Sequence, residues 1–406
     1  MLKNLPVLLI IHGLLFAGYS NVTPSSSAAN PVTPANRTST PIKPFDRAKP
    51  PKPTQTLIKL KPQELAKLVN LPADDLFEID RTQLLTAIDH SLRYIRTGTA
   101  AKKYPIAGFS RDRVELSLVR FRQLVESAPN AMALNQAVLR EFDLYKSVGL
   151  DGKGTVHFTG YFEAVFSANR DRTEKFKYPL YRLPPDFLTW KTPHPTRVDL
   201  EGGKLKGLEL VWLSDRFQAF LIHVQGSARL QLADNQVMTV GYAGKTDRPY
   251  NSIGKELVKD GKMRLEDVTL QSLIAYFQQK PQELDGYLNR NDSYVFFRET
   301  MGQAATGSIG SPVTAERSIA TDKSIFPPGS IALIRTTLPF ADKTNAKNKN
   351  NLLVSRPVSR FVLDQDTGGA IRGAGRVDVF MGTGQSAQDR AGLMNTDGEL
   401  YYLLLK

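Results

Sequence analysis

The sequence predicts a mainly β protein with added helices. After Gly149, most apolar segments are short runs rich in β-branched and aromatic residues, broken by Gly, Pro and Asp. Strands and helices do not alternate along the chain, which argues against a parallel α/β fold. The 406 residues are 41% apolar and 9% aromatic, enough for a core and for two domains, or one domain with an insertion.

Three amphipathic helices are predicted before Gly149. Asp80 is placed to cap the first helix, which we expect to end at Gly98. Apolar residues recur at helical spacing in all three: Leu84, Ile88, Leu92 and Ile95 in the first, Val114, Leu118, Phe121 and Val125 in the second, and Leu134, Val138, Phe142 and Tyr145 in the third. We interpret these helices as scaffold.

The predicted strands form two groups separated by a helical segment. The first group covers 156–166, 208–213, 217–224, 228–232 and 236–242, and the second covers 293–298, 330–335, 360–363, 377–381 and 400–405. Helices are expected to begin near Ser252 and Thr269, and 301–320 is predicted to be a loop. In the 217–224 strand, His223 would alternate with apolar neighbours, so we interpret it as a hydrogen-bonded structural or groove residue.

The amino terminus is typical of an export signal. One lysine precedes the apolar run 5–17, which is too short for a comfortable membrane span. Residues 1–29 are therefore predicted to be a signal peptide, cleaved after Ala17 or near 27–29, with an uncleaved anchor as the alternative. Tyr19 stands where a lipobox would place its cysteine, so we expect no lipoprotein.

Residues 30–55 are predicted to be a disordered linker because they are rich in Pro, Ser and Thr and lack apolar periodicity. The stretch 43–61 carries several lysines and an arginine. Two interpretations of this charge are open: a solvated linker, or electrostatic contact with an anionic cell wall or membrane.

The charge and the rare residue types exclude several kinds of site. The formal net charge is +13, which favours polyanionic partners such as an acidic wall polymer. There are no cysteines, and no two of the five histidines have metal-ligand spacing, so no metal and no cofactor are expected. Aromatic residues are not interleaved with a basic strand face, so nucleic acid is not expected as a partner.

Three aspartates lie in the glycine-rich segment 362–384: Asp364, Asp366 and Asp378. Asp378 stands between two valines of a predicted strand, so its side chain points away from both. It either faces solvent or lies in a cleft with apolar walls, where desolvation would make it a usable general acid. The pattern alone leaves both alternatives open.

Several motifs resemble the membrane-bound lytic murein transglycosylase A family. The turn 366–371 (DTGGAI), followed by the Asp of 376–380 (RVDVF), resembles the C-terminal 3D module, which is named for its three aspartates. Further segments resemble the same family in the same order: 160–163 (GYFE), 178–182 (YPLYR), 223–227 (HVQGS), 248–254 (RPYNSIG) and 293–298 (SYVFFR). The resemblance covers about residues 155–406. Met381 departs from it, since family members often carry an aromatic residue there.

The resemblance implies a double-psi β-barrel with a second β-rich domain inserted into it, and a glycan groove between the two. The barrel domain, with its N-terminal helices, would comprise 56–160 and 305–406, the 3D module 325–406, and the inserted domain 161–304. The location implied is the periplasm or envelope of a Gram-negative-type bacterium. The partner implied is the glycan strand of peptidoglycan, whereas protein partners are not indicated.

The activity implied is cleavage of the β-1,4 bond between N-acetylmuramic acid and N-acetylglucosamine, with formation of a 1,6-anhydromuramic acid end. By resemblance, Asp378 is the general acid and base and Asp366 its companion, and Thr367 would orient Asp378 or bind sugar. Five further residues are expected to line the groove, with core packing as the alternative for each: Tyr161, Gln225, Tyr250, Tyr294 and Phe296.

Two other functions compete with this one. A non-catalytic peptidoglycan-binding module would use the same groove without cutting the glycan. A glycoside hydrolase would release reducing muramic acid and would need a second carboxylate to activate water or attack the sugar. The DTGGAI turn and Asp378 are both present, which favours the enzyme of the transglycosylase type.

Overall fold

The computed structural model describes residues 55–69, 72–341 and 353–406. The predicted signal peptide and all but the last residue of the predicted linker lie outside these residues, as does most of the basic segment. Within the described residues, no helix combines the length and the apolar character needed to cross a membrane. The predicted mainly β architecture with added helices is confirmed.

Helices and strands follow one another in several blocks along the described residues. The helices are α1 Pro62–Val69, α2 Phe77–Ile95, α3 Gly98–Ala101, α4 Arg111–Ser127, α5 Ala131–Glu141, α6 Arg197–Asp199, α7 Arg216–Gln225, α8 Ile253–Lys259, α9 Leu270–Gln279, α10 Leu284–Leu288 and α11 Gln385–Leu393. The strands are β1 Leu57–Lys59, β2 Phe142–Ser147, β3 Val156–Asn169, β4 Tyr178–Tyr181, β5 Glu209–Leu213, β6 Ser227–Leu232, β7 Val237–Lys245, β8 Val295–Glu299, β9 Ser318–Ala320, β10 Ile331–Ala341, β11 Leu353–Asp366, β12 Arg376–Thr383 and β13 Asn395–Leu405.

Six of these strands close into a ring of hydrogen-bonded neighbours. The order is β13, β10, β11, β9, β12 and β3, and β3 pairs back to β13. The β11–β9 and β12–β3 pairs are parallel, and the other four pairs are antiparallel. Closure leaves none of the six as a free edge. Strands β2 and β1 extend outward from β13.

A second sheet begins on the same long strand that completes the ring. The first half of β3 pairs with β12, and its second half, Ala164–Ala168, pairs with β6. The order of this sheet is β4, β5, β3, β6, β7 and β8. Because β3 runs without a break through both sheets, residues near its middle lie where the ring meets the second sheet.

The helices before the ring are held to it by apolar packing. Phe121 of α4 meets Phe361 of β11 edge to face, with ring centroids 5.1 Å apart. Inside the ring, Phe326 stacks on Tyr402 of β13 at 5.2 Å. All four of these rings belong to one hydrophobic core, so the helices predicted as scaffold pack as expected.

Buried ion pairs also tie the start of α2 to the ring. The Arg317 side chain is fully buried, and its guanidinium lies 2.6 Å from the equally buried Asp74 carboxylate. Its Nε also donates to Asp80 at 3.1 Å. Arg360, buried on β11, pairs with Asp75 at 2.7 Å. Each of the two buried guanidinium groups is therefore matched by at least one carboxylate.

The predicted strand over 217–224 is wrong, because the chain forms helix α7 there. The Asp215 side chain accepts a hydrogen bond from Gln218 N and caps the helix, and Gly226 ends it with a φ of +80°. Phe217, Phe220 and Leu221, spaced for one face of a helix, are all buried. This apolar segment, whose alternation predicts a strand, is therefore a helix with a capping residue at each end.

Two helix boundaries also differ from the prediction. Asp80 does not begin a helix but lies at a kink inside α2, with a φ of −135°, and its carboxylate accepts from Arg317 instead. The third helix ends at Glu141, and Phe142 and Tyr145 lie on strand β2. The apolar residues expected on one helix therefore lie partly on helix α5 and partly on strand β2 that follows it, and their helical spacing did not indicate this.

Two further differences concern elements nearer the carboxyl terminus. The predicted loop 301–320 contains strand β9, and helix α11 was not predicted. By contrast, the helices expected near Ser252 and Thr269 are confirmed, because both side chains cap helices that begin at the next residue.

Candidate active site

Two of the predicted aspartates lie in one row across the ring. Asp366 on β11 pairs with Ala320 on β9, and Ala320 pairs on its other side with Asp378 on β12. Asp378 in turn pairs with Thr159 on β3. Residues directly opposite each other on neighbouring strands share a face of the sheet. The two carboxylates therefore flank a small side chain, with their Cα atoms two strand spacings apart, roughly 10 Å.

Asp378 is held by two side chains that the sequence interpretation did not single out. The Thr159 hydroxyl donates to Asp378 Oδ1, and Arg376 Nε donates to the same oxygen at 3.1 Å. Arg376 also donates to the Thr159 hydroxyl at 2.7 Å. Val377 and Val379 are fully buried, while 19% of the Asp378 side chain is exposed, so the carboxylate is reachable from outside. Its predicted orientation away from the two valines is confirmed.

Asp366 is fixed by backbone donors in the turn that follows β11. Its Oδ1 accepts from Ser308 N at 2.9 Å and from Thr367 N at 2.8 Å. Burial raises the pKa of Asp366 above its ordinary value, more than these bonds lower it. The Thr367 hydroxyl donates to Thr321 O at 2.8 Å, which anchors the turn to the end of β9.

The third aspartate, Asp364, has a structural environment. It is completely buried and forms an ion pair with Lys323. The hydroxyl of Tyr402 donates to it at 2.6 Å and that of Thr321 at 2.8 Å. Burial raises its pKa despite these donors. Its role is to hold the interior of the ring together, beneath the row that carries Asp366 and Asp378.

Tyr161 and Gln225 lie beside this row, where the two sheets meet. The ring of Tyr161 packs against Phe380 on β12 with centroids 5.1 Å apart. Its hydroxyl is buried and has no hydrogen-bond partner among the described residues. Burial raises the pKa of Tyr161 well above its ordinary value, and the negative charge of Asp366 raises it further. Gln225, at the end of α7, accepts from Phe162 N at 3.0 Å.

Tyr250 reaches the same place from the loop before α8. Burial raises the pKa of Tyr250 to about 12, and the nearby charges of Arg376 and Asp378 act on it in opposite directions. A Cβ atom at Gly369 would lie 3.8 Å from Tyr250 Cβ and 3.6 Å from Lys245 Nζ. At Gly369 the DTGGAI turn therefore meets Lys245 of the second sheet and Tyr250 of the loop that follows it.

Tyr294 and Phe296 belong to a separate apolar core of the described residues. Both are completely buried, in a core cluster with Tyr181, Leu200 and Leu205. Their rings offer no exposed face on which a sugar could stack, so the core-packing alternative describes these two residues. The guanidinium of buried Arg197 lies 4.7 Å from the centroid of the Tyr294 ring, which adds a cation–π contact inside this core.

The described residues form no cluster of side chains that could bind a metal ion. Within residues 55–69, 72–341 and 353–406, no three His, Asp or Glu side chains are grouped to hold an ion. His223 is buried in helix α7, and its Nδ1 accepts from Val295 N at 3.2 Å. Burial holds the pKa of His223 well below its ordinary value, so it serves as a neutral structural residue, as one alternative predicted.

Comparison with known proteins places these residues in two matched ranges. The MltA specific insert domain matches residues 157–298, and the 3D domain matches 317–404. The membrane-bound lytic murein transglycosylase A of Escherichia coli (strain K12) is 32% identical over 270 residues, which cover 65% of this chain and 70% of that protein. The chain belongs to the membrane-bound lytic murein transglycosylase A family.

Other relatives agree with this assignment. The homolog from Buchnera aphidicola subsp. Schizaphis graminum is 31% identical over 263 residues, covering 64% of this chain and 69% of that protein. The crystal structure of E. coli MltA with bound chitohexaose covers 87% of this chain and 95% of its own, at 25% identity and a TM-score of 0.65. The resemblance seen in the sequence motifs is thus confirmed as family membership.

The two matched ranges meet at the row of paired residues. Thr159 belongs to the range matched by the insert domain, and Asp378 to the range matched by the 3D domain. The hydrogen bond between them joins the two ranges. Sequence reasoning missed Thr159 and Ala320 because strand register brings them to Asp378 from far along the chain. Arg376 had a local signal, since it stands two residues before Asp378 on the same strand face.

Proposed function

We propose that this protein is a lytic transglycosylase that cleaves the β-1,4 bond between N-acetylmuramic acid and N-acetylglucosamine in peptidoglycan. The observation that carries the proposal is the pairing of Asp366 and Asp378 across Ala320, within the matched 3D domain and next to residues of the matched insert domain. Relatives of this chain are named lytic murein transglycosylases, and the structure of one of them contains bound chitohexaose.

One carboxyl group suffices for this reaction. Asp378 donates its proton to the bridging oxygen, and the bond from that oxygen to C1 of muramic acid breaks. The C6 hydroxyl of the same sugar attacks C1, and its proton returns to Asp378. Atoms balance without water, because the intramolecular attack replaces hydrolysis. Thr159 and Arg376 fix the orientation of the carboxylate throughout.

The arrangement favours this route over hydrolysis. Inverting glycosidases place their carboxyl groups on opposite sides of the sugar, and retaining ones use the second carboxylate to attack C1. Here Asp366 shares the sheet face of Asp378, and one of its oxygens accepts from two backbone N–H groups. We assign Asp366 a supporting role, in which Thr367 fixes the turn, and assign sugar contacts to Tyr161, Gln225 and Tyr250.

The proposal also includes a division into two domains and a location for the protein. We assign the closed six-stranded ring to the double-psi β-barrel of 56–160 and 305–406, and the second sheet to the inserted domain of 161–304. The ring closure and the passage of β3 from one sheet to the other support this division. We place the protein in the cell envelope, where its substrate lies, and the net charge of +13 suits an acidic wall polymer.

Product mass tests the proposed function. Digestion of purified sacculi should release muropeptides about 18 Da, one water, lighter than those from a hydrolase that uses two carboxylates. Their muramic ends should resist borohydride reduction, because an anhydro sugar has no free aldehyde. Reducible products of full mass would identify a hydrolase, and binding without release would identify a non-catalytic module.

Replacing Asp366 by asparagine should separate stability from activity. Asparagine Oδ1 can still accept from Ser308 N and Thr367 N, but it cannot ionise. Burial raises the pKa of Asp366, so the folded protein favours the protonated side chain. The stability that this preference contributes is lost as the pH rises from the ordinary Asp range, about 4, through the raised pKa. The Tm of Asp366→Asn should therefore exceed that of the wild type at neutral pH and match it below about pH 3.

The same variant should cleave sacculi more slowly than wild type, but with a smaller loss than a change at Asp378. A Tm difference that is the same at every pH would show that ionisation of Asp366 does not burden the fold.

A further inference from the structure

One face of helix α2 contacts two segments that surround Asp366. Ala87, His90 and Ser91 share this face, because residues three and four apart lie side by side on a helix. The first segment is the end of β11, where Gln365 Nε2 donates to Ala87 O at 2.7 Å and to Ser91 Oγ at 3.0 Å. Gln365 directly precedes Asp366, so α2 holds the end of the strand that carries this carboxylate.

The second segment is the hairpin formed by residues 305–313, which we call the Ser308 hairpin. Backbone hydrogen bonds of 2.9 Å pair its two arms: Val313 N to Ala305 O, and Gly307 N to Ser311 O. Ser308 lies exposed at the tip and donates its backbone N–H to Asp366 Oδ1 at 2.9 Å. The hairpin therefore supplies one of the two backbone donors to this carboxylate, and Thr367 N supplies the other.

His90 holds the Ser308 hairpin to α2. Its Nδ1 lies 2.7 Å from Pro312 O, and Ser311 Oγ donates to His90 O at 3.4 Å. A carbonyl oxygen can only accept, so the Nδ1 of His90 carries the hydrogen. Burial lowers the pKa of His90, which favours the neutral imidazole, and that form keeps one N–H for Pro312 O. The His90 side chain is thus a buried donor that links the helix to the hairpin.

We propose that His90 is a positioning residue for the cleavage reaction, because it fixes the Ser308 hairpin so that Ser308 N stays bonded to Asp366. This rests on the proposed function, in which Asp366 supports the general acid and base Asp378. Without the imidazole donor the hairpin is free to shift, and Asp366 then loses a hydrogen bond that favours its charged form. Tyr161 and Lys323 also act on Asp366, and both stay in place when His90 is changed.

Two substitutions separate the donor from the bulk of the side chain. His90→Asn keeps an N–H at the δ position and can still donate to Pro312 O, whereas His90→Leu fills similar space and donates nothing. The titration of Asp366, followed by ¹³C NMR of its carboxyl carbon and assigned with Asp366→Asn, should move to higher pH in His90→Leu and stay in place in His90→Asn. The kcat for soluble glycan strands should fall about three- to tenfold in His90→Leu, the worth of roughly one hydrogen bond, with KM unchanged.

The titration needs no activity, so the two proposals fail separately. If the wild-type protein makes no anhydro product but the titration moves as expected, the proposed function is wrong and the link from His90 to Asp366 stands. An unchanged titration in His90→Leu, or the same shift in both His90 variants, would overturn the positioning role. Ser311→Ala keeps the test decisive if His90→Leu does not fold, because it removes only the hydroxyl that bonds to His90 O. It should move the titration in the same direction by less, and no movement would contradict the proposal.

Discussion

Replacing Asp378 by asparagine is expected to lower the rate of glycan cleavage by at least ~10²–10⁴-fold, the usual contribution of a general acid and base. Asparagine has nearly the same shape, and its Oδ1 can still accept from the Thr159 hydroxyl and from Arg376 Nε. The local strand and its buried valine neighbours should therefore be undisturbed. What the variant cannot do is donate a proton to the leaving oxygen and take one back from the C6 hydroxyl.

Two controls make that result specific. Glycan binding by Asp378→Asn, measured by co-sedimentation with sacculi, should stay close to wild type, because the groove keeps its shape. Asp397→Asn removes a more exposed acid on β13, two strands from β12 in the ring, where the carboxylate pairs with His157, and it should cleave at the wild-type rate. Wild-type activity in Asp378→Asn would contradict the assignment of the acid.

Replacing Arg317 by methionine is expected to destabilise the protein by about 3–5 kcal/mol, because it leaves a buried carboxylate without its partner. The Asp74 side chain is fully buried, and both of its oxygens accept from Arg317, at 2.6 and 3.0 Å. Arg317 also donates to Phe361 O at 2.9 Å, so a backbone acceptor in the core would lose a donor as well. Methionine fills much of the volume but supplies none of these donors.

Thermal melting, followed by circular dichroism, measures this loss. The matched control is Arg264→Met, which removes an arginine paired with Asp267 at 2.7 Å on the surface. Because both of those side chains are at least half exposed, solvent screens the pair, and the control should melt close to the wild-type temperature. Equal melting temperatures for Arg317→Met and the control would show that the buried pair does not hold α2 to the ring.

The parts of the site that the sequence predicted are those carried by local pattern. Asp378 alternates with two valines, and the strand it lies on has that alternation. The turn after Asp366 is dense in glycine and forms as a turn beside the row. Arg376 could have been found by the same argument, since it lies on the same face two residues earlier.

The parts that the sequence did not reveal depend on register and on packing between distant segments. Ala320 separates the two carboxylates only because β9 pairs with both β11 and β12, and Thr159 reaches Asp378 only because β3 pairs with β12. Tyr294 and Phe296 are aromatic residues of the kind that can line a sugar-binding groove, yet both are completely buried. Their alternation along a strand is equally consistent with either outcome.

Helix α7 shows a different reason for error. Its apolar residues fit the period of two that predicts a strand, whereas the residues at its two ends specify a helix. Asp215 caps its first turn, and Gly226 takes the left-handed conformation after its last. Gln225 consequently projects from a helix end rather than a strand, and it reaches the backbone of Phe162 on β3.

Digestion of sacculi in ¹⁸O-labelled water tests the central proposal most directly, because it asks which oxygen attacks C1. If the C6 hydroxyl attacks, as a single acid at Asp378 requires, the new muramic ends carry no label and appear as anhydro sugars by mass spectrometry. Lysozyme digestion of the same sacculi provides the labelled reference, since water hydrolyses its covalent glycosyl-enzyme intermediate and so enters the product. Label at the muramic ends made by this protein would mean that water attacks and that the enzyme is a hydrolase.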